Sequence, residues 1–141
     1  MDLLIRDATV VTGRRRTIRE GAVAVEGGEI VEVGDAASMR RKYARGYEKV
    51  DAKGKVLIPG FINTHQHAAM SLLRGYADDM PLDAWLQQRI WPMEEHVTGP
   101  DVYAGALLTA AESIMSGSTT VNTMYHYKPE RNEAEPLQMR V

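Results

Sequence analysis

The 141-residue chain contains no cysteine. That excludes a disulfide scaffold and every metal site built on thiolates. It also lacks an excess of either charge. Its 17 Lys and Arg stand against 19 Asp and Glu, for a net charge of -2. The polycationic surface of a generic nucleic-acid binder is therefore missing. No apolar run approaches the roughly 18 residues that cross a bilayer. Met1-Asp2-Leu3-Leu4 has no basic head of the signal-peptide type. The expectation is a cytoplasmic protein with no nucleic-acid and no membrane partner. There is no internal repeat and no low-complexity tract. The length falls short of a complete (β/α)8 barrel, which needs about 200 residues. What is present is a globular composition, 44% hydrophobic and 26% charged, which rules out wholesale disorder.

Residues Asp2 to Thr12 are rich in Val, Ile and Leu and predict a strand, with Leu4, Arg6, Ala8 and Val10 on one face. Arg14-Arg15-Arg16 reads as a solvated loop, too short to imply nucleic acid. Two β-rich runs, Ala22 to Glu26 and Glu29 to Val33, flank Gly27-Gly28. This is a hairpin pattern, because glycine accepts the positive φ of tight turns. Ala36 to Gly46 is helix-compatible, Val50-Asp51 suits a short strand and Lys53-Gly54-Lys55 a turn. The first 57 residues are thus mainly β.

The character then changes. Val56-Leu57-Ile58 is apolar, Pro59-Gly60 interrupts it, and Phe61 to Thr64 resumes it, which predicts a buried strand leading to His65. Asp78-Asp79 reads as the cap of a helix from Pro81. Leu82, Trp85, Leu86 and Ile90 would share its face, and Pro92 would stop or kink it. Thr98 suits an N-cap, Pro100 the first turn and Asp101 the capping-box position of a second helix. Its stripe is Val102, Ala106, Leu107, Ala110, Ala111 and Ile114, and Gly117 would end it. Ser118 to Met124 predicts another strand. Strand, helices and strand in this order have the spacing of a βαβ unit. From Lys128 to Val141 the chain is poor in apolar residues, carries Pro129 and Pro136, and reads as weakly structured.

The main chemical signal is His65-Gln66-His67 after an apolar strand. Residues two apart on a strand share a side, so both imidazoles can reach one cation. Neutral imidazole suits Zn²⁺ or Fe²⁺ better than Mg²⁺ or Ca²⁺. By itself the pair is equally the pattern of two hydrogen-bonded surface histidines, and zinc sites normally take at least three protein ligands. Taken alone, Glu94 reads as a solvated acid, His96 and His126 as loop histidines, Arg74 as half of a structural ion pair, and Trp85 and Trp91 as core anchors.

In context the pattern sharpens. Pro59 to His67 resembles the first metal-binding strand of the amidohydrolase superfamily. Ala68 to Asp79, the turn from Leu82 to Trp85, and Ile90-Trp91-Pro92-Met93-Glu94 are similar to the 5-methylthioadenosine/S-adenosylhomocysteine deaminase family, a relative of the triazine chlorohydrolases. Ser116-Gly117-Ser118-Thr119-Thr120 and Asn122 to Tyr125 resemble the entry into that family's second strand. Gln66 stands where relatives often carry Thr.

The resemblance implies an α/β fold: an incomplete metal-dependent (β/α)8 TIM-barrel hydrolase with an N-terminal β-sandwich segment. Residues 1–57 would be the N-terminal part of the appended sandwich, and residues 58–141 the start of the barrel. The implied reaction is hydrolytic deamination of S-adenosylhomocysteine, 5′-methylthioadenosine or 5′-deoxyadenosine with one divalent ion, Zn²⁺ ahead of Fe²⁺. His65 and His67 would be two metal ligands. Glu94 would contact the ribose hydroxyls, since a carboxylate accepts from two neighbouring hydroxyls. A third metal histidine, a metal aspartate and a His/Glu proton-transfer pair would come from later strands, so no catalytic acid or base falls within the chain and the fragment alone would be inactive. The alternatives are another amidohydrolase (a chlorohydrolase, or a guanine or cytosine deaminase), or an inactive remnant or split-enzyme half. The implied partners are a small-molecule nucleoside and a second copy or a complementing C-terminal chain.

Overall fold

The computed structural model describes residues 1–13 and 16–125. Arg14 and Arg15 of the expected loop lie outside the described residues, as do His126 and the tail from Lys128 to Val141. Two compact units divide at Pro59, the first Met1–Pro59 and the second beginning at Gly60.

The first unit is a five-stranded sheet with one helix. Strand β1 (Leu3–Val11) pairs antiparallel with β2 (Thr17–Glu26), and β2 with β3 (Glu29–Asp35). Strands β4 (Glu48–Asp51) and β5 (Val56–Leu57) both run parallel to β1. Gly27 and Gly28, at φ 58° and 90°, make the tight turn between β2 and β3 as predicted. Helix α1 (Ala36–Lys42) is capped by Asp35, whose carboxylate accepts from the Ser38 N–H at 2.9 Å.

The expected single face of β1 does not hold. Leu4 packs with Ala22, Ala24, Ala36, Met39 and Tyr43, whereas Ala8 and Val10 pack with Val23 and Ala52. The cause is Asp7. It adopts φ 67°, and the β1–β2 register shifts between Arg6 and Ala8. One extra residue in a ladder exchanges the strand's faces. Asp is among the few L-residues that take this conformation. Its carboxylate accepts from Arg6 Nη1 at 2.8 Å and also pairs with Arg40.

The second unit begins with β6 (Phe61–Gln66) and a 3₁₀ segment (Ala68–Leu73). Helix α2 (Leu82–Trp85) runs through a π-helical turn (Leu86–Ile90) into α3 (Trp91–Glu94). Helix α4 (Gly99–Met115) follows, and then β7 (Ser118–Thr123), which pairs parallel with β6. The predicted βαβ order is therefore present. Asp101 accepts from the Thr98 N–H at 2.9 Å and its hydroxyl at 2.6 Å, and Gly117 at φ 87° follows the end of the helix. No described helix is long and apolar enough to cross a membrane.

Three local expectations are corrected. Asp78 and Asp79 do not cap α2, which starts behind Pro81 with no side-chain cap bond. Gly75, Ala77 and Asp79 all take left-handed φ, so the preceding turn, not a side chain, steers the chain into the helix. Pro92 does not end the helical path. The π turn relaxes the ring's usual clash with the carbonyl one turn back, and the path continues to Glu94. The buried face of α4 is not the large apolar stripe. Gly105, Thr109, Ala110 and Ser113 are buried, while Leu107 and Ile114 are 43% and 58% exposed.

Small residues are needed there because α4 lies close to the 3₁₀ backbone. Ser71 Oγ donates to the Gly105 carbonyl and Thr109 Oγ1 to the Ala68 carbonyl, both at 2.8 Å. A Cβ on Gly105 would lie 2.6 Å from the Ala69 carbonyl oxygen. Gly105→Ala is therefore expected to destabilise the protein by about 1–3 kcal/mol, the overpacking cost outweighing the better helix propensity of alanine. A chemical denaturation midpoint measures it; an unchanged or raised midpoint would contradict the close approach.

Candidate functional site

The site is built on the ends of the two parallel strands. His65 lies in β6, and His67 is the first residue past it. Asn63 folds over this end. Its Oδ1 accepts from the His65 N–H at 3.2 Å, and its Nδ2 donates to Gln66 Oε1 at 2.6 Å. The end of β7 holds both neighbours of His67. The Met124 N–H donates to the Gln66 carbonyl at 2.8 Å, and the Ala68 N–H donates to Thr123 Oγ1 at 3.1 Å. The backbone at His67 is thus fixed from both sides.

The two imidazoles are neighbours. Their centroids are 5.2 Å apart and their planes lie at 89°. Both histidines are exposed, and neither ring is hydrogen-bonded to another described residue. Two imidazoles without hydrogen-bond partners among the described residues, at one strand end, are a donor set suited to zinc or iron. Among the described residues no group of three or more His, Asp or Glu side chains is placed to hold a metal ion. His96 is exposed and not part of this cluster.

Glu94 reaches the site from the end of α3, carried there by the helical path that continues past Pro92. It is half-buried. Burial pushes its carboxyl above the usual carboxylate range, opposed by the Tyr125 hydroxyl and by His67. Tyr125 follows β7, and burial together with the Glu94 charge and hydrogen bond pushes its phenol up to about 12. The structure thus gathers His67, Glu94 and Tyr125. Sequence reasoning assigned no role to Tyr125. The available signal was its position just past the second parallel strand, the end at which β/α folds collect functional side chains.

An open cleft of about 510 Å³ adjoins His67, with Met70, Tyr76, Met80 and Trp85 on its walls. Trp85 is half-buried and lines this cleft, its Nε1 donating to the Tyr76 carbonyl at 3.3 Å. Trp91 is 52% exposed, so it is not the core anchor expected of it; Ile90 is the fully buried residue of this helical path. Arg74 makes a two-bond ion pair with Glu112 at 2.9 and 2.6 Å, which ties the end of the 3₁₀ segment to α4.

Residues 56–137 match the family model described as Amidohydrolase family. The chain belongs to the amidohydrolase family. A second model, an imidazolonepropionase-like composite domain of bacteria, matches residues 21–44 of this amidohydrolase chain. Among curated relatives, a 5-methylthioadenosine/S-adenosylhomocysteine deaminase of Pelotomaculum thermopropionicum is 45% identical over 126 residues, covering 88% of this chain and 29% of the relative. A 5′-deoxyadenosine deaminase of Methanococcoides burtonii is 44% identical over 135 residues, covering 94% of this chain and 30% of the relative. Among solved structures, a zinc-bound adenosine deaminase from Xanthomonas campestris matches with a TM-score of 0.75 at 40% identity, over 89% of this chain and 29% of that one. The amidohydrolase chain is a mixed α/β protein that spans less than a third of the length of these relatives.

Proposed function

We propose that the whole protein is a metal-dependent aminohydrolase that converts adenosine derivatives to the corresponding inosine derivatives. The substrates are S-adenosylhomocysteine, 5′-methylthioadenosine or 5′-deoxyadenosine. In this reading residues 1–57 form the N-terminal part of an appended β-sandwich, and residues 58–141 the start of a (β/α)8 barrel completed by later strands. The observation that carries the reading is the pair of adjacent imidazoles, their ring centroids 5.2 Å apart, at the end of β6. The names of the relatives at 44–45% identity support it.

The donor set fits one divalent ion, zinc ahead of iron, because both imidazoles are free and the backbone on either side of His67 is clamped. His65 and His67 would supply two of its ligands, with a histidine and an aspartate from later strands completing the set. When bound, the ion supplies Lewis-acid activation of water for attack on the amino-bearing purine carbon. The protein's own residues bind and orient the nucleoside. Glu94 accepts hydrogen bonds from two vicinal ribose hydroxyls, and its partial burial strengthens those bonds relative to water. The apolar walls at Met70, Met80 and Trp85 suit an aromatic base or a thioether. A His/Glu pair from the later strands moves the protons.

The test is turnover by the zinc-loaded whole protein of a panel: the three adenosine derivatives, guanine and cytosine followed by ammonia release, and a chlorinated triazine followed by chloride release. The adenosine derivatives are expected to exceed every other compound in kcat/KM by on the order of 100-fold or more. A best substrate outside the nucleosides would overturn the assignment.

A further inference from the structure

We infer that Thr109 and Thr123 are positioning residues for His67. They grip the residue after it, Ala68, from two separate elements, and so fix the direction in which His67 presents its imidazole beside His65. The inference rests on the reading of the two histidines as metal ligands and adds the device that holds one of them in place. His67 stands where the chain leaves β6 for the 3₁₀ segment, at φ -117° and ψ 82°, with no side-chain cap bond of its own. Nothing local fixes this corner, and tertiary contacts do. The Ala68 N–H donates to Thr123 Oγ1 at 3.1 Å, from β7. The Ala68 carbonyl accepts from Thr109 Oγ1 at 2.8 Å, from α4. The His67 carbonyl accepts from the Met70 N–H at 3.0 Å, which closes the corner.

The Cα of His67 therefore lies between two held peptide groups. The one before it is fixed by the Met124–Gln66 bond and the one after it by Thr123. Thr109 then fixes the next peptide group along. A threonine inside a helix commonly turns its hydroxyl back onto its own helix. Thr109, buried at 9% exposure, sends it instead to a different element. The reach is short because Gly105 lets α4 approach the 3₁₀ backbone, where a Cβ would lie 2.6 Å from the Ala69 carbonyl oxygen. A ligand ring held in place beforehand loses less freedom when the ion binds. Both hydroxyls are engaged with Ala68 and act only through His67. Ser71 supplies the control. Its hydroxyl joins the same 3₁₀ segment to α4 with a bond of the same 2.8 Å, but four residues on from His67.

The experiment uses the whole protein and measures zinc affinity by competition with a chelator, alongside the denaturation midpoint of the metal-free form. Thr109→Val keeps the shape, removes the hydroxyl, and is expected to weaken zinc about tenfold. Thr109→Ser keeps the hydroxyl and should bind zinc within about twofold of the parent. Ser71→Ala should lower the midpoint much as Thr109→Val does, yet leave zinc affinity within about twofold of the parent. Thr123→Val removes the other grip and is also expected to weaken zinc about tenfold, which keeps the proposal testable should Thr109→Val fail to fold. Unchanged zinc affinity in either folded valine variant, an equal loss in Ser71→Ala, or no recovery in Thr109→Ser would each overturn the proposal. If His67→Ala binds zinc like the parent, the metal reading falls and the inference with it. If His67→Ala loses zinc and a folded valine variant does not weaken it, the positioning role alone falls.

Discussion

His67→Ala in the whole protein is expected to lower deaminase kcat/KM by on the order of 10³-fold or more, at least about 4 kcal/mol of transition-state stabilisation. It should also lower the zinc content after dialysis. The expectation follows from what fixes the residue. His67 is held between the Met124–Gln66 bond and the Ala68–Thr123 bond, so no neighbouring side chain can swing in to replace it. Gln66 is half-buried and bonded to Asn63, away from such a role. His65→Ala should match the loss, since the two rings form one donor pair 5.2 Å apart. Retained zinc and retained turnover in either variant would show that the pair is an ordinary surface cluster.

Glu94→Ala is expected to reduce kcat/KM for 5′-methylthioadenosine by about 100-fold or more, from two lost hydrogen bonds to a charged acceptor at roughly 1.5 kcal/mol each. Turnover of adenine, which has no ribose, should change by no more than about threefold. The contrast between the two substrates separates a ribose contact from a structural carboxylate. A half-buried acid that merely supported α3 would depress both equally. Burial raises the energy of the Glu94 charge, and the Tyr125 hydroxyl and His67 offset this in part. Removal of the charge should therefore cost little stability, and the melting temperature should stay near that of the parent. Equal losses on both substrates would end the ribose assignment.

The elements legible in the sequence were those whose causes are local. The Gly27-Gly28 turn needs two positive φ values, and the Thr98–Asp101 box satisfies helix-start N–H groups within four residues. Their spacing alone announces them. The Asp7 bulge was not legible, because alternation along β1 looks continuous until a left-handed residue reverses it. The packing face of α4 was misjudged for a related reason. Hydrophobic periodicity points to the large residues, whereas the close approach to the 3₁₀ backbone selects Gly105, Thr109 and Ser113.

At the site, the spacing of His65 and His67 predicted two imidazoles on one side of a strand end, and the structure brings their rings together. Glu94 reaches the same place only because the helical path survives Pro92, which the π turn allows and which a proline rule read alone would deny. Tyr125 carried only the weak signal of its position just past the second parallel strand. Its partnership with Glu94 is a tertiary contact between the end of a strand and the end of a helix, and nothing in either local stretch encodes it.

The most direct measurement is the zinc X-ray absorption spectrum of the metal-loaded whole protein beside those of His65→Ala and His67→Ala. Imidazole scattering is expected in the parent and should fall by one ligand in each variant that retains metal, or vanish with the metal. A spectrum without imidazole ligands, or one that neither substitution alters, would contradict a metal site built on His65 and His67.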